Sequence, residues 1–474
     1  MTQAAQDWNT NGPSSSYGAE AVTDLDKRTE EVELLWKLDR KAEALSVIEE
    51  LSSAGAQNAR LDEVAAFIYL EKGNVSKAKE RLSRLEKAGV STESIDLLRG
   101  GIYTAEEKWS EAKPVYQKLY SKPNRSDELA ATYAYVLAQT NDWKESRDIY
   151  RTLLKGKNAR KDWRQDYRYV IQEGAPKIES IFQYLHRPAG QRDYRFGQKG
   201  SYWVNPWLWL SAGMGEEVYR RGDFAGADAI KRLLMSHTLE AKLCYGRLAS
   251  LAMGWRTSYD KTDFQELFWR AKADTKRLRS EIKFDWNQLA RDPIEGIARE
   301  GRIHRLEFAN ELRLHERFQV GDTFRLEWYR LPGRNNFVDG TGDLGWDHMN
   351  DVYANCVLLR KPYLSMNYHY RQSYWKQKFE GADTVLGFLP AEMAHYGGFY
   401  TEYPVGKWME FAGSVTRGND HKRNANYLYW YFETRVWIRD GMRVSFGYEY
   451  DKGDSGTAGP GDTQIMTTKG EIFF

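Results

Sequence analysis

The second half of the chain carries aromatic and polar residues of the kinds that bind sugars through many weak contacts. Aromatic rings offer flat faces on which the C–H groups of a sugar can stack, and carboxylate, guanidinium, amide and imidazole groups hydrogen-bond to hydroxyls. A series of such contacts would let a glycan slide, whereas one tight site would hold it. An alternative that stays open is that the charged groups only neutralise one another. The candidate contact residues are Tyr353, Asn367, His369, Arg371, Trp375, Trp408, Glu410, Tyr429, Tyr431, Glu433 and Arg435.

Signals of catalysis and of metal binding are lacking in the sequence. There is no GxSxG, HExxH or P-loop motif, and the eight histidines show no ligand spacing. Glu307 and Glu311 share one strand face, but paired carboxylates are common in a chain that is 29% charged. Cys244 and Cys356 are too few for a disulfide framework and are interpreted as small hydrophobic residues. We therefore predict no enzyme, no catalytic residue, no metal and no cofactor.

The composition excludes some partner classes. Lysine and arginine (69) nearly balance aspartate and glutamate (67), which argues against nucleic acid as a partner recruited by bulk charge. No apolar run approaches the roughly 20 residues of a membrane helix. The mean hydropathy of −0.71 is typical of a soluble protein, but alternating strands that face water on one side would give the same average.

Residues alternate between apolar and charged from about position 276 onward, as strands with two different faces do, and the stretch 176–302 is interpreted as further strands. Leu306 and Phe308, for example, alternate with Arg305 and Glu307. In a membrane the apolar face must point outward, because an outward charge at mid-depth costs roughly 2–4 kcal/mol. About sixteen strands are predicted, near 177–187, 200–219, 225–236, 240–257, 262–273, 277–289, 293–301, 303–318, 323–333, 346–360, 363–377, 386–403, 406–417, 425–438, 441–452 and 462–474. Counts of fourteen and eighteen stay open, and residues 211–236 fit a helix almost as well.

The connections between these strands are predicted to be of two kinds. Tight turns are expected at Gln319–Asp322, Lys361-Pro362, Pro404–Gly406 and Arg439–Gly441, and longer connections at 334–345, 379–384, 417–424 and 451–462. Short turns at one end and long loops at the other are typical of a transmembrane β-barrel. An even strand number brings both chain ends of the barrel to the side of the short turns. Pro206 and Pro390 fall inside predicted strands, where a bulge or a strand end must absorb the missing donor.

Acidic residues are concentrated in the predicted long loops. They would favour a neutral or partly cationic glycan at the exit of the pore, although acids are also ordinary turn formers. The residues assigned to this acidic exit are Asp339, Asp343, Asp451, Asp454 and Asp462.

The N-terminal part repeats with a period of about 34 residues. Small residues recur at this period, at Ala44, Ala78, Ala112 and Ser146, and a large residue follows four positions later in each repeat. This pattern resembles the tetratricopeptide repeat (TPR), in which small residues let two antiparallel helices approach closely. The resemblance implies a concave surface that binds peptides or proteins; the alternative is a spacer.

The chain is thus predicted to be a multidomain α and β protein. Residues 1–24 are expected to be a disordered tail, 25–157 four TPR-like repeats forming an α-solenoid, 158–175 a capping helix or linker, and 176–474 an antiparallel transmembrane β-barrel of about 16 strands. The first residues lack the basic and apolar regions of a signal peptide. Either a signal has been removed or the protein is cytosolic, and the barrel requires the first.

Helical repeats followed by a barrel resemble the outer-membrane exopolysaccharide exporters, the secretins for poly-N-acetylglucosamine, cellulose and the Pel polysaccharide. The resemblance implies a bacterial outer-membrane pore that passes an exopolysaccharide through the lipid bilayer. Its repeats would dock periplasmic or inner-membrane synthase components in the periplasm. The terminal Phe474 resembles the signal read by the outer-membrane assembly machinery. Two alternatives stay open: an adsorption or assembly receptor with a TPR platform, and a soluble TPR scaffold with an all-β ligand-binding domain.

Overall fold

The structure, a computed structural model, describes residues 24–54, 58–90, 92–156, 159–187, 190–221, 230–246, 248–259, 263–290, 300–331, 342–378, 391–452 and 462–474. Within these residues nine helices precede sixteen strands, which confirms the predicted order of the two regions. The helices are α1 (Asp24–Lys37), α2 (Lys41–Ser53), α3 (Ala59–Glu71), α4 (Val75–Lys87), α5 (Glu93–Ala105), α6 (Trp109–Tyr120), α7 (Asp127–Gln139), α8 (Trp143–Lys155) and α9 (Lys161–Gly174).

The first eight helices pack as four successive pairs, α1 with α2, α3 with α4, α5 with α6 and α7 with α8. The four small residues of the repeat pattern are all fully buried: Ala44, Ala78, Ala112 and Ser146. In the last pair the Ser146 hydroxyl donates to the Ala134 carbonyl at 2.6 Å, so the polar group is satisfied inside the core. The helix packing predicted from the spacing is therefore confirmed.

Each helix pair is joined by the same turn, a feature that the sequence analysis missed. A residue with positive φ recurs at the period of the repeat, at Asp39 (61°), Gly73 (74°), Glu107 (60°) and Asn141 (64°). The residue after each of them donates its amide to a carbonyl five positions earlier, for example Asn74 to Tyr69 at 2.8 Å. This is the Schellman ending of a helix, which favours glycine because other residues are strained at positive φ. Only one of the four turns uses glycine.

Replacing Glu107 with glycine should raise the free energy of unfolding of the helical region by about 1 kcal/mol, because it removes the strain of a side chain at positive φ. Gly73→Ala should lower the free energy of unfolding by about the same amount. A Cβ atom there meets no atom within 4 Å, so the loss comes only from the strain of alanine at positive φ. Urea denaturation followed by helical circular dichroism measures both. If the two variants shift stability in the same direction, the turn geometry is wrong.

The C-terminal region is a closed barrel in which each strand pairs with its sequence neighbours and β1 pairs with β16, all antiparallel. A closed barrel leaves no strand edge exposed, as a membrane requires. The strands are β1 (Lys177–Arg187), β2 (Gln191–Asn205), β3 (Leu208–Arg221), β4 (Ile230–Tyr245), β5 (Ala249–Tyr259), β6 (Asp263–Asp274), β7 (Leu278–Leu289), β8 (Arg302–His315), β9 (Phe318–Arg330), β10 (Asp343–Arg360), β11 (Tyr363–Gln377), β12 (Met393–Val405), β13 (Met409–Asp420), β14 (Ala425–Arg439), β15 (Met442–Lys452) and β16 (Asp462–Phe473).

The two ends of the barrel differ in their connections, as predicted. At the end where β1 begins and β16 ends, all seven connections are two or three residues long. At the opposite end, five of the eight connections are much longer; they span 222–229, 290–301, 331–342, 378–392 and 453–461. Barrels of the outer-membrane type have short periplasmic turns and longer extracellular loops, so we call these ends the short-turn end and the long-loop end.

The two faces of the barrel wall have opposite chemistry. Large apolar side chains such as Phe182, Met214 and Leu267 are about half exposed on the outside. Ion-paired side chains such as Lys283 and Glu307 point inward, and the barrel is therefore a transmembrane one rather than the soluble all-β domain considered as an alternative. Among the helices of the described residues, none is long and apolar enough to span a membrane.

Several predicted strand boundaries in the first half of the barrel are wrong. The predicted strand 200–219 is a hairpin, because the Asn205 side chain accepts from the amides of Trp207 and Leu208 (3.0 and 2.9 Å) and turns the chain at Pro206. β4 continues to Tyr245 and β5 begins at Ala249, so the chain does not turn near 238 as predicted. Most of the predicted strand 293–301 and Pro390 lie outside the described residues, where their predictions stay untested.

The predicted turn at Gln319–Asp322 is also wrong: the chain turns at Glu316-Arg317, and Gly321 lies within β9. A Cβ atom on Gly321 would lie 2.4 Å from Cζ of Tyr353 on the neighbouring strand. The glycine therefore makes room for an aromatic ring inside the barrel and does not form a turn. By contrast, the predicted turns at Lys361-Pro362 and Arg439–Gly441 are confirmed, except that Arg439 still belongs to β14. The turn predicted at Pro404–Gly406 lies at 406–408, because Pro404 and Val405 still pair with β13. The long connection predicted at 417–424 is only four residues long, because β13 continues to Asp420.

Candidate functional site

Ion pairs cover much of the inner wall of the barrel. Lys283 contacts Glu307 at 2.8 Å across β7 and β8, and Lys469 contacts Glu179 at 2.9 Å across the β1–β16 closure. Glu327 is only 4% exposed, and its carboxylate accepts a hydrogen bond from Arg305 of β8. Such pairing lets a polar lumen carry many charges without leaving one unpaired in a desolvated place. It also supports the alternative that part of the predicted contact set has a structural role.

A recess of about 340 Å³ opens on the lumen side of β11 to β15. It is lined by aromatic rings, amide and hydroxyl groups, and charges of both signs. Four of the predicted contact residues and one of the predicted exit acids belong to it. The residues of this lumen recess are Asn367, His369, Arg371, Glu392, Tyr396, Thr416, Arg423, Tyr427, Tyr429 and Asp451.

One side of the lumen recess is organised by Asp351 of β10. Its carboxylate accepts from Arg371 at 3.0 and 3.2 Å and lies 3.2 Å from Nδ1 of His369. His369 in turn stacks on Tyr353, with ring centroids 5.5 Å apart. The guanidinium of Arg371 also lies 5.3 Å from the ring centre of Tyr396. These contacts fix the orientation of the polar groups before any ligand arrives.

The other side of the lumen recess is built around Asp420, which is fully buried at the end of β13. Its carboxylate accepts from the backbone amides of Lys422 and Arg423 (2.8 and 3.2 Å) and thereby forms the turn into β14. Arg423 pairs with Asp420 at 3.3 Å and donates to the Tyr427 hydroxyl at 3.3 Å. The turn thus directs a loop arginine into the lumen.

Three tyrosines supply the flat surfaces of the lumen recess. Tyr396 and Tyr427 lie 5.5 Å apart at an interplanar angle of 59°, and the Tyr396 hydroxyl donates to Glu392. The Tyr429 hydroxyl donates to Glu449 of β15 at 3.3 Å. Rings held in this way present apolar faces with a polar edge, the combination that binds a sugar ring.

The remaining predicted contact residues lie elsewhere on the wall. Trp375 packs against Tyr329 (5.3 Å) in an apolar cluster with Ile303, Leu331 and Leu344. Tyr431, Glu433, Arg435 and Glu402 form a hydrogen-bonded chain with distances of 2.5 to 3.3 Å. Glu410 lies directly opposite Arg435 in the β13–β14 ladder. Trp408 lies in the tight turn between β12 and β13, and not on a strand as predicted.

The predicted exit acids are only partly found in loops. Asp343 and Asp462 are the first residues of β10 and β16; the first caps the amide of Gly345 at 3.1 Å, and the second accepts from Tyr450 at 2.7 Å. Asp451 lies inside β15, because the β14–β15 ladder continues as far as Lys452. Asp339 and Asp454 lie outside the described residues.

Sequence reasoning missed five residues of the lumen recess: Glu392, Tyr396, Thr416, Arg423 and Tyr427. The inward alternation of Tyr396, Thr416 and Tyr427 was readable, but their proximity depends on the register of the strands. Glu392 and Arg423 lie in connections between strands, where alternation gives no signal. The described residues contain no group of three or more His, Cys, Asp or Glu side chains that could hold a metal ion. Cys244 and Cys356 are both free thiols.

No model of a protein family matches the chain, and no curated protein sequence matches it. Among solved structures, it is similar to a bacterial polysaccharide outer membrane secretin (TM-score 0.49, 10% identity, 63% of this chain and 98% of that chain). It is also similar to OmpF of Salmonella typhi, solved with daunomycin (TM-score 0.34, 12% identity, 63% and 97%). A third similar chain is MamA from AMB-1 (TM-score 0.26, 17% identity, 31% and 79%). The assignment of a transmembrane barrel rests on the strand ladder and the two faces described above.

Proposed function

We propose that this protein is an outer-membrane pore that exports an exopolysaccharide, and that the lumen recess is a contact site for the glycan. The observation that carries the proposal is the composition of that recess, in which three tyrosines alternate with groups that donate and accept hydrogen bonds. Barrels of 16 strands are wide enough to leave an aqueous channel. A glycan chain would pass the recess one or a few sugars at a time.

The charge of the lumen recess supports a neutral or partly cationic cargo, such as a partly deacetylated amino-sugar polymer. At the edge of the recess, Asp351 neutralises Arg371 and Asp420 neutralises Arg423. The lining itself then adds Glu392 and Asp451, so four carboxylates face two guanidinium groups. An anionic polymer would be repelled, and cationic groups would be attracted.

The orientation of the barrel supports a role for the helical repeats on the inner side of the membrane. Because short turns are periplasmic in barrels of this type, β1 begins at the periplasmic end, and the preceding helices are assigned to the periplasm. There they would dock synthase components from the periplasm or the inner membrane. Crosslinking of the full chain in cells that make the polymer tests this assignment.

Reconstituted in a planar bilayer, the full chain should form pores that prefer cations over anions. Chitosan-like oligomers should block the current at concentrations at least tenfold lower than alginate-like oligomers of equal length, because the recess carries excess negative charge. Protein that migrates differently before and after boiling in a gel provides the control for a folded barrel.

Two other outcomes separate the alternatives. Anion selectivity with preferential block by the acidic oligomers would reverse the cargo and leave export intact. Pores that no glycan blocks, in cells whose secreted polymer is unchanged by deletion of the gene, would contradict export and favour the receptor alternative.

A further inference from the structure

Three cationic side chains stand side by side on the outer face of the barrel, near its long-loop end. Arg192 on β2 lies directly opposite Arg220 on β3, and Arg220 lies directly opposite Lys231 on β4. All three are exposed. On β1, His186 is the ladder partner of Arg192. We call Arg192, Arg220 and Lys231 the cation row.

The cation row faces away from the lumen, because alternation along each strand places it on the apolar face. Arg192 is four residues from Phe196, Arg220 is six from Met214, and Lys231 is two from Leu233, and these three apolar side chains are exposed. Even spacing puts both members of each pair on the same side of a strand.

The cation row lacks the acidic partners that the lumen cations have. Among the described residues, no carboxylate pairs with Arg192, Arg220 or Lys231. The nearest acid on the outer face of these strands is Glu216, four residues before Arg220 and therefore about 13 Å away along β3. Like charges directly opposite each other on a sheet are destabilising. We therefore expect these three adjacent cations to bind an anionic ligand, which would offset their mutual repulsion.

The surface below the cation row is apolar and aromatic. The next outward row toward the short-turn end consists of Tyr184, Tyr194, Val218 and Leu233, again direct ladder neighbours. The rings of Tyr184 and Tyr194 lie 5.2 Å apart. Rows two residues apart are separated by about 7 Å, so the wall changes from cationic to apolar over the height of one lipid headgroup.

We propose that the cation row and the apolar row beneath it form a binding site for a phosphate-bearing lipid of the outer leaflet. The guanidinium and ammonium groups bind the phosphates, and Tyr184, Tyr194, Val218 and Leu233 contact the start of the acyl chains. A soluble phosphate would use only the first row and would leave the apolar surface without a partner. The site depends on the orientation of the barrel and not on which glycan passes through it.

The chain supplies a matched control for this site. Lys376, Arg417 and Lys452 are also exposed on outward strand positions toward the long-loop end. Their ladder neighbours are uncharged or acidic: Trp346 for Lys376, Gly397 and Leu428 for Arg417, and Leu428 and Asp462 for Lys452. The triple variant K376Q/R417Q/K452Q therefore removes the same charge without touching a row of adjacent cations.

The test is a titration of the detergent-solubilised full chain with lipid A, a diphosphorylated glucosamine lipid, followed by native mass spectrometry. The variant R192Q/R220Q/K231Q should bind about 100-fold more weakly than the original chain, and the control variant should change less than threefold. Both variants should keep the gel shift on boiling, which shows that they fold. Monophosphorylated lipid A should bind more weakly to the original chain than the diphosphorylated form.

Equal losses in the two triple variants, or no loss in the first, would overturn the proposal. Displacement of lipid A by inorganic phosphate at equal concentration would replace the lipid site by a simple phosphate site and would also overturn it. Glycan block of the pore should be unchanged in R192Q/R220Q/K231Q, so failure of the lipid site and failure of the export function give different results.

Discussion

Replacing Ala78 with leucine should lower the free energy of unfolding of the helical region by about 3 kcal/mol. Ala78 lies on α4, is fully buried and stands where α3 and α4 approach each other. The extra carbons of leucine have no space there, and the helices must separate or shift. The measurement is urea denaturation of residues 24–174 expressed alone. We expect this fragment to be soluble, monomeric and helical, because the apolar cluster of the first repeats consists only of residues between 32 and 102.

Ser83→Leu is the matched control, because Ser83 lies just over one turn further along α4 and is exposed. The same leucine should change stability there by less than about 0.5 kcal/mol. Equal effects at positions 78 and 83 would show that the small residue has no packing role, and a disordered fragment would contradict the repeat assignment.

The helical region was predictable because its information is local and repeated. A helix of fixed length, a turn and a second helix recur within each repeat, so the burial of Ala44, Ala78 and Ala112 can be inferred from spacing alone. The turn conformation could not be inferred, because three of its four positions hold residues other than glycine. Gly73 alone is the type of residue expected at such a turn. Its place in the repeat became informative only when the structure showed the same positive φ at Asp39, Glu107 and Asn141.

The barrel was predictable in its faces and less so in its boundaries. Alternation of apolar and charged residues sets which side of a strand faces lipid, and membrane energetics make that choice strict. The ends of strands depend on side chains that act across the sheet. Gly321 has the appearance of a turn residue, yet it lies within β9 to accommodate Tyr353. Asn205 looks like part of a strand, yet its side chain forms a turn.

The lumen recess was only partly predictable, because the residues that line it are far apart in the sequence. Asn367 on β11 and Asp451 on β15 line one recess although three whole strands lie between them in the sequence, and only the register of those strands brings them together. The same register decides which charges are neutralised. Arg435 was predicted as a glycan contact, but its guanidinium forms ion pairs with Glu433 and Glu402. Among the charged members of the predicted set, Arg371 lines the lumen recess although Asp351 neutralises it, whereas Arg435 and Glu433 pair with each other outside that recess.

Replacing both Tyr427 and Tyr429 with alanine should weaken the block of the pore by amino-sugar oligomers about tenfold, since each aromatic contact contributes about 0.5–1.5 kcal/mol. The two rings lie on successive inward positions of β14 and line the lumen recess. Removing them takes away apolar faces and leaves the carboxylates Glu392 and Asp451 in place. Cation selectivity should therefore be kept, and the conductance of small ions should not fall.

Two control variants separate stacking from other effects. Phenylalanine at positions 427 and 429 keeps the rings and removes the hydroxyls, so the block should stay within threefold of the original value. Tyr431→Ala removes the next inward ring of the same strand, which lies outside the lumen recess and donates to Glu433 at 2.5 Å. If Tyr431→Ala weakens the block as much as the double variant, the contact is spread along the lumen. If the phenylalanine variant loses the block, the hydroxyls hold the glycan, and the stacking role of the two tyrosines is wrong.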